Sequence, residues 1–208
     1  MTDAIIETPT QKRIREANED FERMTPDERR VAIAKDAKQQ ILAYKYLARC
    51  GIYCEMAIPG LINYSKEARE RELFEVIDDA PTHGCVVCAR GALFLSACSQ
   101  FNNFKVDDIT WWTPTNVDNP DSTEIGIRES TLVPVEARFF TPLQIGKIEA
   151  MFEVSGFCRS RAILDTQTLT ACYKYGKSLD SPTKRLIEIC DNFIRNEGDF
   201  VVPAEFLE

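Results

Sequence analysis

Three times in this chain a hydroxyl residue is followed directly by proline at the head of an apolar-striped segment: Thr25-Pro26, Thr141-Pro142 and Ser181-Pro182. This arrangement fixes where a helix starts. The hydroxyl accepts a hydrogen bond from one of the first free N–H groups, and proline presets the first helical φ without losing a needed donor. After Thr25, Glu28 completes a capping box. Val31, Ala34, Ala37, Ile41, Tyr44 and Ala48 then recur at three- and four-residue steps, and Gly51 supplies a stop. After Thr141, Gln144 takes the same position, Ile145, Ile148, Met151 and Phe152 form the stripe, and Gly156 follows. After Ser181 the stripe is Leu186, Cys190, Phe193 and Ile194, closed by Gly198.

Two more helices are expected, over roughly 64–78 ahead of DDAPTHG and over about 88–100, and residues 1–24 read as an N-terminal helical arm. Between them lie strand-like pieces: GIYCEMAIPG, DDITWWTPT, STLVPVEARFF, where Pro134 suggests an edge or bulge, and the closing GDFVVPAEF. Residues 113–130 read as a long polar loop. The expected fold class is α+β: a mainly helical single domain over 1–208 with a small antiparallel sheet.

No apolar run approaches the ~20 residues of a membrane span, and the first 24 residues are too charged for a secretory signal, so a cytoplasmic protein without a membrane partner is expected. In that compartment the eight cysteines stay reduced. Cys98, Cys172 and Cys190, among apolar neighbours, read as core. The net charge of −8 argues against nucleic acid, whose phosphates demand a basic face, but allows a small anion held by a few arginines.

The stretch THGCVVCARGALFLSACSQF, residues 82–101, carries the chain's one histidine and a Cys-x-x-Cys pair. Zinc takes four soft or borderline ligands, and Cys50, Cys54, Cys85 and Cys88, with His83 as a substitute, could provide them. Against this, Val86 and Val87 read as core and the Cys50–Cys54 spacing is not diagnostic. A nucleophile is a second reading: on an extended segment His83 and Cys85 share a side, and a histidine can lower a thiol pKa. No third orienting residue stands nearby. Asp78-Asp79 and Asp107-Asp108 read as solvated loop ends. A ligand pocket is the third reading. Gly91 lowers helix stability by ~1 kcal/mol relative to alanine, which calls for either close helix packing, the commoner reason, or backbone approach to a ligand. Arg90 in the same first turn could meet a phosphate. On a strand, Trp111 and Trp112 face opposite sides, so one ring can fill the core while the other offers a stacking platform. Arg159 and Arg161 are further anion-binding candidates beside the plainer reading of surface charge. The P-loop, dinucleotide-binding, zinc-protease and serine-elbow patterns are absent from the sequence.

RRVAIAKD at 29–36, the Cys88-Ala89-x-Gly91-Ala92-Leu93 helix start and the ending RLIEICDNFIRNEGDFVVP together resemble small uncharacterised accessory proteins of phages and bacteria, over about a quarter of the chain. The resemblance implies a virus-linked accessory role and carries no catalytic residues across. With that origin the leading expectation is a non-catalytic protein that sequesters a small anionic, nucleotide-like molecule, such as a host signalling nucleotide, in counter-defence. The alternative is an interaction module, with or without a zinc staple, that masks a host protein. No other cofactor is expected. STLVPVEARFF, as an edge strand, could pair two copies into a homo-oligomer.

Overall fold

A computed structural model describes residues 9–57, 82, 84–101, 110–113, 124–127, 134–154 and 163–207. The three hydroxyl–proline helix starts are all built. Helix α2 (Pro26–Leu42) opens on a closed capping box in which Thr25 Oγ1 accepts from Glu28 N and Glu28 Oε2 accepts from Thr25 N at 2.7 Å. Those bonds hold the Glu28 carboxyl below its usual range. Helix α4 (Pro142–Glu153) repeats the device with Thr141 and Gln144, and α6 (Pro182–Arg195) is capped by Ser181 through Lys184 N. The other helices are α1 (Pro9–Arg23), α3 (Ala89–Phe101) and α5 (Thr166–Lys177).

α3 is the central element. From Ala89 to Cys98 every residue is buried, which a helix tolerates only when packed on all sides. α2 and α4 both pack against it, α6 packs on α2 and α4, and α5 on α4. Leu93, Phe94 and Leu95 meet a core formed by Ile33, Ala34, Ala37 and Ile41 of α2, Ile148, Met151 and Phe152 of α4, and Leu186, Ile189 and Phe193 of α6.

The described strands β1 (Tyr46–Ala48), β2 (Cys54–Ala57), β3 (Cys85–Val87), β4 (Thr110–Thr113) and β5 (Glu124–Ile127) form one sheet in the order β1-β3-β2-β5-β4. All neighbouring pairs are antiparallel except β1–β3, which is parallel. The fold is thus α+β, dominated by helix. Its small sheet feeds the central helix: β3 runs through Cys88 straight into α3.

Several boundaries differ from expectation. The helix begun at Thr25 ends at Leu42, not near Gly51; Tyr44 adopts φ 58° and is 62% exposed, and the chain then enters β1. Tyr46 and Ala48 are buried on either side of exposed Leu47, so a two-residue strand rhythm had extended the helical stripe by coincidence. STLVPVEARFF is not a strand where it is described. Pro134–Glu136 are helical and the chain turns through Phe140, with Phe139 N and Phe140 N both donating to Glu136 O. Pro134 fixes a helical φ, and the turns carry Val135, Glu136, Phe139 and Phe140 inward. The edge-strand route to a dimer through this segment falls with it. α4 stops at Glu153, with Val154 left-handed, before Gly156 is reached. The closing segment folds as a 3₁₀ turn (Ala204–Phe206) rather than a strand, since Pro203 supplies no N–H for a ladder. Part of the loop expected at 113–130 is β5, and α5 was not expected. The helix expected at 64–78 lies outside the described residues. No helix among the described residues is long and apolar enough to cross a membrane.

Candidate functional site

At the end of β3, Cys88 serves as the cap of α3. Its N–H donates to Tyr53 O at 3.2 Å, and its Sγ accepts from Gly91 N at 3.4 Å. Gly91 lies directly against the loop before β2: a Cβ there would stand 1.6 Å from Tyr53 O. Close packing therefore explains this glycine, and its N–H is turned to the Cys88 thiol.

Arg90, only 5% exposed, is held on three sides. Its Nε and Nη2 donate to the two oxygens of Glu136 at 3.0 and 2.6 Å, and Nη1 donates to Tyr53 Oη at 3.1 Å. Glu149 Oε2 lies 3.8 Å from Nη1, and the guanidinium stands 5.0 Å from the Tyr53 ring centre. Burial alone would disfavour its charge, but the bidentate Glu136 bonds outweigh that and hold it firmly protonated. This corrects the expectation of a phosphate-binding arginine. A phosphate would have to displace two buried carboxylates, so Arg90 instead ties α3, α4, the 134–140 turn and the loop before β2 together.

A cleft of about 220 Å³ opens beside it. It is lined by Gly51, Ile52 and Tyr53 from the loop before β2, by Cys88, Ala89 and Arg90 at the start of α3, and by Glu149, Phe152 and Glu153 of α4. Glu153 accepts from Gly51 N at 2.9 Å. Its carboxyl is pushed above the usual range by burial and also by Glu149 one turn away, against the opposing pull of the Gly51 N–H and Arg185. Arg185, more than nine-tenths buried on α6, stands 5.9 Å from the Phe152 ring. Its Nη2 donates to Cys50 Sγ at 3.3 Å, and among the described residues its Nε finds no hydrogen-bond acceptor. The Cys50 thiol, 3.6 Å from Phe152 O, is raised by burial and partly drawn back by Arg185.

The remaining candidates scatter. Cys85 is wholly buried in the sheet and pushed up to about 12, so it offers neither a thiolate nor access to a substrate. Cys88 is likewise raised to about 12 by burial. Among the described residues no group of three or more His, Cys, Asp or Glu side chains is placed to hold a metal ion; Cys50 turns to Arg185, while Cys54, Cys85 and Cys88 sit in the core. Trp111 and Trp112 lie on edge strand β4, in register with Gly126 and Ile125. Three strand spacings, ~14 Å, separate β4 from β3. His83, Arg159 and Arg161 lie outside the described residues.

Sequence reading missed Tyr53, Glu136, Glu149, Glu153 and Arg185. Two left a trace: Glu149 falls four residues after Ile145 and three before Phe152, and Arg185 four before Ile189, so each puts a charge where the helical rhythm asks for an apolar residue. No protein-family model matches the chain, and neither does any curated protein or solved structure.

Proposed function

We propose that this protein is a non-catalytic binder of a small nucleotide-like molecule, seated in the cleft at the start of α3. The carrying observation is the cleft itself, where Tyr53, Arg90, Glu149 and Glu153 converge between partly apolar walls. A concave site with a few fixed polar groups is the usual form of a small-molecule seat. Its ~220 Å³ is below the roughly 300–1,000 Å³ of sites for drug-sized ligands. It therefore suits one ring system, with the anionic phosphates left at the mouth, because Arg90 is committed to Glu136 and Glu149. The protonated Cys88 thiol gives no activated nucleophile, which favours capture over turnover. The resemblance to phage accessory proteins supplies the role: sequestration of a host signalling nucleotide.

A thermal-shift panel of mono-, di- and cyclic nucleotides tests this. A ligand at a hundred times its Kd adds ~2.7 kcal/mol to stability, or about 5–10 °C in Tm for a chain of this size. No shift with any member, with divalent metal present, refutes it.

A second reading, masking of a host protein, rests on exposed Leu42, Tyr44 and Leu47 at 59, 62 and 40% exposure, beside edge strand β1. Capture of a defined host protein that is lost in a Leu42→Asp, Leu47→Asp variant supports it; undiminished capture removes it.

A further inference from the structure

We infer that Cys50 is a redox-modification site: a peroxide converts its thiol to a sulfenic acid, and the new oxygen is held by the Arg185 guanidinium. The inference rests on the contact between these two side chains and is independent of the nucleotide reading. Access is the first observation. Among the described cysteines Cys50 alone is partly exposed, and the other six are buried. An incomplete seat is the second. A guanidinium is planar, and its Nε–H and Nη2–H form a fork that faces one side. Arg90 shows that fork filled, with Nε and Nη2 on the two oxygens of Glu136 at 3.0 and 2.6 Å. Arg185 shows it half filled. Its Nη2 meets Cys50 Sγ at 3.3 Å, while Nε, buried and facing the same side, finds no acceptor among the described residues.

A buried donor left without a partner is costly, and sulfur is a weak acceptor for the donor that does reach it. One oxygen bonded to Sγ supplies the strong second acceptor that the fork lacks, in a charge-assisted bond. The step balances with hydrogen peroxide as the oxidant. The thiol gives up its proton, the sulfur lone pair attacks one peroxide oxygen, the S–O bond forms and the O–O bond breaks. The departing hydroxide takes a proton and leaves as water, so sulfur loses two electrons and peroxide gains them. Burial keeps the Cys50 thiol largely protonated at neutral pH, with Arg185 pulling the other way, so the reaction is slow and quickens as pH rises. Arg185 acts chiefly on the product. Thiols reverse the modification, since a sulfenic acid is the reducible rung of cysteine oxidation.

Treatment of the full chain with hydrogen peroxide at pH 8 tests the inference through two readouts. Dimedone trapping followed by peptide mapping should place a sulfenic acid on Cys50 and on none of the six buried cysteines. Oxidised protein without dimedone should melt about 3 °C or more above the reduced protein, the shift of one charge-assisted hydrogen bond in a chain of this size, and dithiothreitol should reverse the rise. A Cys50→Ser variant should show no rise, which assigns the shift to this sulfur. Arg185→Lys keeps the charge without the fork, and its oxidised form should gain no stability. Should the lysine variant not fold, the two wild-type readouts decide. No dimedone adduct on Cys50, a disulfide there in its place, an adduct with Tm unchanged or lowered, or an equal rise in folded Arg185→Lys overturns the inference.

Discussion

Replacing Gly91 with alanine sets two effects of opposite sign against each other, and the structure decides between them. In an exposed helix the change stabilises by ~1 kcal/mol, because alanine loses less backbone freedom. Here the new Cβ would lie 1.6 Å from Tyr53 O and 2.6 Å from Tyr53 C, both backbone atoms that no side-chain rotation can move aside. The loop and the helix must part by about 1.5 Å or more to restore an ordinary contact. That separation breaks the Cys88 N–Tyr53 O bond and the Arg90–Tyr53 hydroxyl bond, each contributing ~1 kcal/mol. Overpacking adds ~1–3 kcal/mol. Set against the propensity gain, the net is a loss of about 2–4 kcal/mol, or about 5–15 °C in Tm. Urea titration followed by circular dichroism reads it directly. A Gly91→Ala protein as stable as the wild type would refute the contact between α3 and the 51–53 loop, and the cleft shaped by that contact.

Three further outcomes follow from the same geometry. Arg90→Met strands Glu136 and Glu149 in the core and should lower stability by ~3–5 kcal/mol; adding Glu136→Met should restore at least ~1 kcal/mol, and strict additivity of the two losses in a denaturation cycle would show that the pair is not coupled. Glu153 binds its proton more tightly folded than unfolded, so its contribution to stability falls as pH rises from its unfolded pKa through its raised folded one. Glu153→Gln, which keeps an acceptor for Gly51 N, should therefore raise Tm at pH 7.5 and make no difference near pH 4; a lower Tm at neutral pH counts against the site's electrostatics. In native protein at pH 8, iodoacetamide mapped by mass spectrometry should label Cys50 and spare Cys54, Cys85, Cys88, Cys98, Cys172 and Cys190, all buried; rapid labelling of Cys85 would reopen its case as a nucleophile.

How much of this was legible beforehand can be argued residue by residue. Helix starts were, because a cap is a local event: Thr25, Thr141 and Ser181 bond to N–H groups only three residues away, within the span that sequence spacing samples. Helix ends were less so. Ala48 fits the helical stripe through Ile41 and Tyr44 and the buried face of β1 equally well, and only pairing with β3 chooses between them. The alternation in STLVPVEARFF reads as a strand with Pro134 at an edge or bulge; the Glu136–Arg90 pair that holds the turn inward joins residues 46 apart in sequence. The site failed for the same reason. Arg90 reads from the sequence as a free charge, but its partners come from three other segments, so its charge looks available when it is engaged. The readable hint was negative in form, a carboxylate at Glu149 and a guanidinium at Arg185 where an apolar side chain belonged.

The most direct test of ligand capture is native mass spectrometry of the full-length protein as purified from cells, set beside its denatured mass and repeated after incubation with a nucleotide mixture. The predicted result is a non-covalent adduct of one nucleotide per chain that is released on denaturation and is lost in a folded Tyr53→Ala variant. The bare polypeptide mass under both conditions, or an adduct that Tyr53→Ala retains in full, would contradict a nucleotide seat in the cleft at the start of α3.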